Sequence, residues 1–495
     1  MTRATVSDSP FLPGWIWLLP LALIALFFEA LQPVDNPTER IVWYSVLIIA
    51  ATTALTRLCR IEKQFDFFEP LHLTFAFFVI FYPVRALFAV WLDDVWFDPS
   101  TAATWRGLSA SALGFVCFAM GYKLGPRESF LRRRIWLDLD WSPERAKVVS
   151  LAFLLLSLAG FAAIRFLSGS FLYFLSLDPD IKAPHEMKPW FFYLLWVCQL
   201  MQVGALIQLG SWFSTGRRVF WTAFYSMLAL FSTVFLSRLF TILCLMTLML
   251  SWHYKRSKIK TTQIVILSLL AIGYLGIAGF YRELISPGNS MDEAGEFMEL
   301  AGQQDKLVVH YVVANLEELY NLSEIISVTP TELPYQFGST FTPVILKPIP
   351  RALMPSKPLG ADALFTQRFS PEAYDSGLVT GLGAWGEWYL NFSWLGLILG
   401  MALTGALSAA AYKAMRATSE FGRVMLYSSF AVVLFTWLRS DFSSATSYGL
   451  YYFIPAILAL AYITRPAPGH SPGTCNRVLM TGKGIGDADV ARANT

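Results

Sequence analysis

The chain has 495 residues, of which 55% are apolar and 15% are charged, and its formal net charge is +3. Soluble proteins carry about 25% charged residues, so this composition excludes an ordinary soluble protein and indicates an integral membrane protein. Membrane lipid is therefore the expected surroundings, and nucleic acid is not an expected partner. The five cysteines lie in or beside apolar runs or in the tail, so no disulfide framework is expected.

Apolar runs long enough to cross a membrane recur along the chain. A spanning helix needs roughly 17 to 25 mostly apolar residues. By that measure the sequence predicts an all-α polytopic membrane protein with about twelve transmembrane helices. The predicted spans are 15–31, 41–58, 71–92, 105–122, 148–167, 190–213, 219–235, 239–253, 262–281, 389–411, 424–438 and 446–463.

The run 219–252 predicts a hairpin rather than one helix. As a single helix it would be about 51 Å long, whereas the hydrocarbon core is roughly 30 Å thick. Basic residues flank the run on both sides, and Arg238 is the only charge inside it. Both ends are therefore expected on the same side of the membrane, with Arg238 at the tip of the hairpin.

The distribution of Lys and Arg predicts the orientation of the bundle. Most of those in short loops fall on the side of the two termini, so the termini are expected in the cytoplasm and the long loop outside. The expected organisation is a transmembrane bundle of about nine spans at 1–281, an outer loop or cap at 282–388, a three-span unit at 389–463 and a disordered cytoplasmic tail at 464–495.

Two features stand out in the outer loop. Apolar residues in 305–328 recur close to every 3.6 positions, which predicts an amphipathic helix lying on the membrane or roofing the bundle. The segment 347–360 is rich in proline, which removes backbone donors and fixes φ, so it predicts a rigid irregular arch. This arch carries Lys347, Arg351 and Lys357.

Several cations are predicted to bind phosphate on the outer face. A guanidinium is permanently charged and binds phosphate through two parallel hydrogen bonds, so a ring of arginines suits a lipid-linked pyrophosphate. The alternative for each is an interfacial residue whose charge reaches the headgroups. The candidates are Arg238, Arg282, Lys347, Arg351, Lys357 and Arg439.

Three residues are candidates to accept a proton. Glu387 stands just before a predicted span in a glycine-rich stretch, Asp441 follows Arg439 by two positions, and His310 lies in the predicted amphipathic helix. Either carboxylate could receive the proton of an attacking sugar hydroxyl or pair with a neighbouring arginine, and His310 could be a polar-face residue. The sequence has no GxxxxGK[ST], HExxH or Cys/His cluster, so a nucleotide hydrolase or a zinc peptidase has no support.

With these residues in view, the second half of the chain resembles the Wzy-type O-antigen polymerases, also called oligosaccharide repeat-unit polymerases, of bacterial inner membranes. The resemblance depends on LSRLFTILCLMTLML (236–250), FYRE (280–283), PIPRALMPSKP (348–358), GEWYLNFSWLGLILG (386–400) and WLRSDF (437–442).

The resemblance implies a glycosyltransferase that moves a polysaccharide chain from undecaprenyl pyrophosphate to another lipid-linked repeat unit at the periplasmic face of the inner membrane. It implies a reaction without metal or nucleotide sugar, with lipid-linked oligosaccharide as the substrate. A chain-length regulator protein is a candidate partner.

Two other functions remain open. An O-antigen ligase would move the same chain to a lipid A core and would share the many-span plan and the outer loop. A transporter or flippase of lipid-linked sugars would need several charges deep inside its spans, whereas only Arg85 lies well inside a predicted span.

Overall fold

The computed structural model describes residues 37–62, 65–92, 102–126, 141–168, 189–217, 219–234, 238–270, 273, 316–346, 349, 353–375, 379–417 and 420–464. Every regular element in these ranges is helical. The helices of the first part are α1 (Pro37–Cys59), α2 (Pro70–Val79), a π-helical turn (Ile80–Val84), α3 (Arg85–Leu92), α4 (Ala102–Leu124), α5 (Pro143–Ser168), α6 (Pro189–Thr215), α7 (Val219–Val234), α8 (Arg238–Lys255) and α9 (Thr261–Leu270).

The second part consists of short helices followed by three long ones. The short helices are α10 (Glu318–Val328), a 3₁₀ turn (Ser339–Phe341), α11 (Thr342–Leu346), α12 (Ala361–Phe369) and α13 (Pro371–Asp375). The long ones are α14 (Gly383–Arg416), α15 (Phe421–Arg439) and α16 (Phe442–Ile463).

Within the described ranges, eight helical segments are long and apolar enough to cross a membrane, and three shorter apolar helices accompany them. The prediction of an all-α protein with multiple membrane-spanning helices is confirmed at this level. The predicted span 15–31 and the tail from 465 onward lie outside the described residues. The run 219–252 forms two helices, α7 and α8, as the predicted hairpin requires.

Two apolar cores hold the bundle together. The larger is built from α1 to α4 and α14 to α16 and continues outward into α10 and α12. The second joins α5, α6 and α8 to α15 and α16. Because α15 and α16 contribute to both, these two helices join the two halves of the bundle.

The closest helix contact in the larger core is between α4 and α14. A Cβ added at Gly121 would lie 1.9 Å from the carbonyl oxygen of Ala402, and one added at Gly405 would lie 2.0 Å from that of Phe118. Small residues let helix backbones approach in membranes, where packing rather than the hydrophobic effect drives association. These glycines therefore permit the approach that brings the N-terminal end of α14 against α4 and α10.

The described residues within 316–382, which fall in the predicted outer loop, are called the outer segment. A buried polar network closes the end of the bundle opposite this segment. Asp66, in the turn between α1 and α2, accepts hydrogen bonds from the hydroxyls of Tyr254 (3.0 Å) and Tyr412 (2.9 Å), and His253 Nε2 lies 3.3 Å from it. Burial opposes the charge of Asp66, yet the contacts from His253 and the two tyrosines hold its pKa below its usual range. The network joins α8 and α14 to the turn.

The long helix α14 breaks near its outer end. Phe392 has φ −140° and ψ 22°, and Ser393 has φ 60° and ψ −153°. The segment before the 3₁₀ turn holds this break, since Tyr335 and Ser393 share a hydroxyl hydrogen bond (3.0 Å) and Gly338 N donates to Asn391 Oδ1 (2.7 Å). The helix predicted at 389–411 thus begins at Gly383, and its first ten residues contact the outer segment.

The glycine contact makes a direct prediction. Gly405→Ala places a methyl group against the Phe118 carbonyl, a backbone atom that cannot rotate away, so α4 and α14 must separate. Overpacking of this kind costs about 1 to 3 kcal/mol. We expect a lower melting temperature in detergent and less folded protein in membranes. Gly273→Ala is the control, because a Cβ there meets nothing within 4 Å; equal melting temperatures in the two variants would contradict the predicted contact.

Candidate functional site

A cluster of charged side chains lies where the outer segment meets the break between α15 and α16. The two helices are separated only by Ser440 and Asp441, and this break faces α10, α12 and the start of α14. The cluster consists of Glu318, Asp362, Glu387, Arg439 and Asp441, and we call it the outer cluster.

Glu387 is fully buried and is bound by the groups around it. Its Oε1 accepts a hydrogen bond from the Thr340 hydroxyl (2.9 Å), and its Oε2 accepts from Trp437 Nε1 (2.8 Å) and from the backbone amide of Phe442 (2.7 Å). Its relative exposure is 0%. Glu387 therefore joins α14, the 3₁₀ turn and both sides of the α15–α16 break.

Asp362 and Asp441 bind each other's backbones. Asp362 Oδ2 accepts from the Asp441 amide (2.9 Å) and from the Ser440 hydroxyl, and its Oδ1 accepts from Leu382 N (2.7 Å). Asp441 Oδ2 in turn accepts from Asp362 N (3.2 Å). Asp441 Oδ1 accepts from Ser444 N (2.6 Å), so it is the N-cap of α16.

The two buried carboxyls are electrostatically coupled. Burial, and then the charge of Asp441, raise the pKa of Asp362 well above its usual range. Two carboxylates that share a buried site cannot easily both ionise, so protonation of one relieves the repulsion. A Cβ at Gly360 would lie 2.1 Å from Asp441 Oδ2, which leaves glycine as the residue that fits against this pair.

Arg439 ends α15 and is the exposed cation of the cluster. Its side chain is 38% exposed, while Glu318, the first residue of α10, is 4% exposed. Arg439 Nε lies 3.7 Å from Glu318 Oε1, within ion-pair range but too far for a hydrogen bond. Burial raises the pKa of Glu318 to about 8, although the charge of Arg439 opposes that shift.

Arg85 approaches the same region from the first half of the chain. It follows the π-helical turn that contains Pro83, and its Nε donates to the carbonyl of Leu316 (3.1 Å). Its charge, together with that of Arg439, acts on Glu317. The single charge predicted inside a span thus binds the segment that leads into α10.

The other predicted cations are spread more widely. Lys357 lies in the turns after 352, and its Nζ donates to the carbonyl of Ile349 (3.2 Å). Arg238 begins α8, but its side chain is outside what the structure describes. The predicted residues Arg282, His310, Lys347 and Arg351 also lie outside the described residues. Among the predicted site residues, the structure brings together Glu387, Arg439 and Asp441.

The amphipathic segment is described only in part. Residues 316–328 include α10, whose apolar side chains pack against α4 and α14, and Asn321 Nδ2 donates to the carbonyl of Gly381 (2.7 Å). Of the two predicted positions for this helix, the packing favours a roof over the bundle. Residues 305–315 lie outside the described residues.

Two members of the outer cluster were not singled out from the sequence. Glu318 is one of ten acids in an acidic stretch, and Asp362 stands in an otherwise unmarked Gly-Ala-Asp sequence. No spacing rule indicates either. Glu318 begins α10 in the structure, where an acid suits the helix dipole. It lies inside the predicted pattern 305–328, however, so its position in the sequence carries no such signal.

The cluster combines groups with distinct chemical capacities. Arg439 can bind an anion from the exposed side, and the carboxyls behind it can hold or exchange protons. Among the described residues no group of three or more His, Cys, Asp or Glu side chains is arranged to hold a metal ion.

Comparison with known proteins identifies the part of the chain that carries this cluster. Residues 316–466 match the family model of the O-antigen polysaccharide polymerase Wzy. The resemblance predicted from the sequence is confirmed over this segment, which contains α10 to α16. No curated protein and no solved structure matches the chain. The matched segment contains the outer cluster and the last three candidate membrane spans.

The hydrogen bonds of Asp362 predict that the stability of the fold depends on its carboxyl group. Asp362→Ala leaves the amides of Leu382 and Asp441 and the Ser440 hydroxyl without this acceptor, and each unsatisfied buried group costs about 1 to 3 kcal/mol. We expect a marked fall in melting temperature and in folded yield. Asp375→Ala, at an exposed carboxylate in the same outer segment, should behave as wild type. A melting temperature for Asp362→Ala equal to that of the control would contradict the role of the carboxylate.

Proposed function

We propose that the protein polymerises oligosaccharide repeat units carried on undecaprenyl pyrophosphate. In each step the growing chain on one lipid carrier is transferred to the sugar of a second lipid-linked repeat unit. The observation that carries this proposal is the Wzy match over 316–466. Every member of the outer cluster lies within that segment.

In the proposed reaction an acceptor hydroxyl attacks the anomeric carbon of the donor sugar. The new bond joins that carbon to the acceptor oxygen, the bond to the pyrophosphate oxygen breaks, and undecaprenyl pyrophosphate leaves with the electron pair. Cations at the site would stabilise the negative charge that develops on the leaving group. As the resemblance implies, the step uses neither a metal nor a nucleotide sugar.

Arg439 is the proposed cation for which the structure gives most support. It is partly exposed at the end of α15, and its planar guanidinium suits two phosphate oxygens. Arg238, Arg282, Lys347, Arg351 and Lys357 remain proposed contributors to the same pyrophosphate site.

The hydroxyl proton needs an acceptor, for which Glu387, Asp441 and His310 remain the candidates. The buried environment of Glu387, with a donor on each oxygen, supports a part in orienting the α15–α16 break. Asp441 is similarly occupied as a helix cap. Proton transfer to either would require these bonds to rearrange during the reaction.

We place the proposed site at the periplasmic face of the inner membrane. The support is the excess of Lys and Arg in the loops at the opposite end of the bundle. The domain division into a bundle (1–281), an outer loop (282–388), a three-span unit (389–463) and a cytoplasmic tail (464–495) is part of the same proposal. A chain-length regulator is a proposed partner.

The surface polysaccharide of a deletion strain separates the proposed function from its alternatives. A polymerase predicts chains that stop at one repeat unit. A ligase predicts bare lipid A cores, with long chains remaining on undecaprenyl lipid, and a flippase predicts lipid-linked units trapped on the inner side. Either of the last two outcomes would overturn the proposal.

Arg439 supplies a test of the pyrophosphate contact. Arg439→Lys keeps the positive charge but cannot form the bidentate pair of hydrogen bonds to phosphate. We therefore expect polymer yield to fall at least tenfold with an unchanged amount of protein in the membrane. Arg368→Lys is the matched control, since Arg368 is an exposed arginine of the outer segment that pairs with Glu332. Normal chain lengths in the Arg439 variant would remove this residue from the pyrophosphate site. Arg351→Lys tests the arch in the same way.

Glu387 and His310 can be compared as proton acceptors. Glu387→Gln keeps the size of the side chain and one acceptor oxygen but cannot take up the proton of the acceptor hydroxyl, so we expect elongation to stop after one repeat. His310→Gln should be mild. Turnover per folded enzyme is measured with purified protein and a lipid-linked repeat unit. Undiminished turnover in Glu387→Gln beside an inactive His310→Gln variant would assign the proton to the histidine and favour the ligase function.

A further inference from the structure

The Glu318 carboxyl is poorly satisfied for a buried group. Its Oε1 has Arg439 Nε at 3.7 Å, and its Oε2 has no hydrogen-bond partner among the described residues. The backbone amide of Glu318 itself supplies the hydrogen bond that favours its ionised form. An isolated ion pair gains little when its carboxylate is removed from water without further hydrogen bonds. Stability alone therefore gives no reason for an acid at this position, although its partner is the exposed cation of the outer cluster.

Arg439 can exchange its partner without disturbing the fold. Its guanidinium is 38% exposed, and the contact with Glu318 is longer than a hydrogen bond. A pyrophosphate arriving from the exposed side would offer two oxygens in bidentate geometry, a stronger contact than a single carboxylate oxygen at 3.7 Å. The carboxylate and the pyrophosphate are therefore alternative partners for one guanidinium.

Loss of Arg439 as a partner changes the protonation state of Glu318. A buried carboxylate without a cation is strongly disfavoured and takes up a proton instead. Four groups act on Glu318 or lie within range of its charge: Arg439 from α15, Glu317 from its own helix, Asp362 from α12 and Tyr82 from the π-helical turn. Among these groups only Arg439 favours the ionised form. The hydrogen bond from the backbone amide of Glu318 also favours it but does not depend on Arg439, so the departure of Arg439 removes the charge that stabilises the carboxylate.

We propose that Glu318 is a positioning residue that acts through Arg439: it holds the guanidinium at the exposed face and competes for it with the donor pyrophosphate, so that pyrophosphate binding places a solvent proton on an ionised Glu318. The inference rests on the proposed function, because it takes the pyrophosphate of the lipid carrier as the ligand. No covalent bond other than the O–H bond at Glu318 forms in this exchange.

The exchange predicts how binding depends on pH. Burial raises the pKa of Glu318 to about 8 in the free protein, and the loss of Arg439 raises it further in the complex. Below this pKa the carboxyl is protonated in both states, and binding is insensitive to it. Above it, binding must take up a proton, so the dissociation constant should rise about fivefold between pH 8 and pH 9. A phosphate group, with a second pKa of about 6, keeps its charge over that range.

The test measures binding of undecaprenyl pyrophosphate to the purified full-length protein in detergent at pH 7, 8 and 9. Wild type should show the weakening above pH 8, and Glu318→Gln should bind with no such slope and more tightly than wild type at pH 9. Glu332→Gln, which breaks a surface pair with Arg368, is the control and should retain the slope. Arg439→Gln should bind weakly and also lose the slope, which gives a second measurement if Glu318→Gln folds poorly.

A wild-type protein with no slope, or no measurable binding, would overturn the inference. A Glu318→Gln variant that keeps the slope would leave Glu318 with only a packing role and would also overturn it. Elongation of a lipid-linked repeat unit is measured separately on the same preparations. A protein that elongates chains but lacks the slope contradicts only the role of Glu318. One that shows the slope but transfers chains to a lipid A core contradicts only the polymerase function.

Discussion

The backbone amides at the junction between α15 and α16 have no partners within a helix and must find other hydrogen-bond acceptors. Buried carboxyl groups supply these acceptors. Glu387 accepts from Phe442, Asp362 accepts from Asp441, and Asp441 accepts from Ser444. A helix terminus leaves such donors without intrahelical partners, and an unpaired buried donor is costly. These carboxylates come from α12, α14 and the break itself, so satisfying one short stretch of backbone fixes three elements relative to one another.

The same constraint determines where the other side chains of the outer cluster lie. Arg439 immediately precedes the break, so the bonds that hold residues 440–442 also fix the end of α15. The glycine contact between α4 and α14 brings Glu387 to its place from one side. The hydrogen bond from Asn321 to Gly381 brings α10, and with it Glu318, from another. As a result, the partly exposed guanidinium of Arg439 lies beside the buried acidic side chains of the outer cluster.

Hydropathy was sufficient to predict the helical membrane architecture and the hairpin of α7 and α8, because both depend on the length of apolar runs and the charges beside them. It could not predict the interior of the outer cluster. The sequence predicts that a span begins at 389, just after Glu387, yet the helix begins at Gly383 and Glu387 lies inside it. The carboxyl group is tolerated there because hydrogen-bond donors from distant parts of the chain surround it. Asp362 and Glu318 are also buried beside partners from distant parts of the chain. No local sequence pattern shows that such distant partners will be present.

The length of α15 determines the depth of its terminal arginine. This helix runs for 19 residues from Phe421 to Arg439, which makes it about 28 Å long, close to the roughly 30 Å of a hydrocarbon core. If Phe421 stands at one boundary of the hydrocarbon, Arg439 stands at the other, level with the phosphates of the surrounding lipids. A pyrophosphate attached to a polyprenol is confined to that same layer. The carrier could then meet the guanidinium by lateral diffusion within the leaflet, without being lifted out of the bilayer.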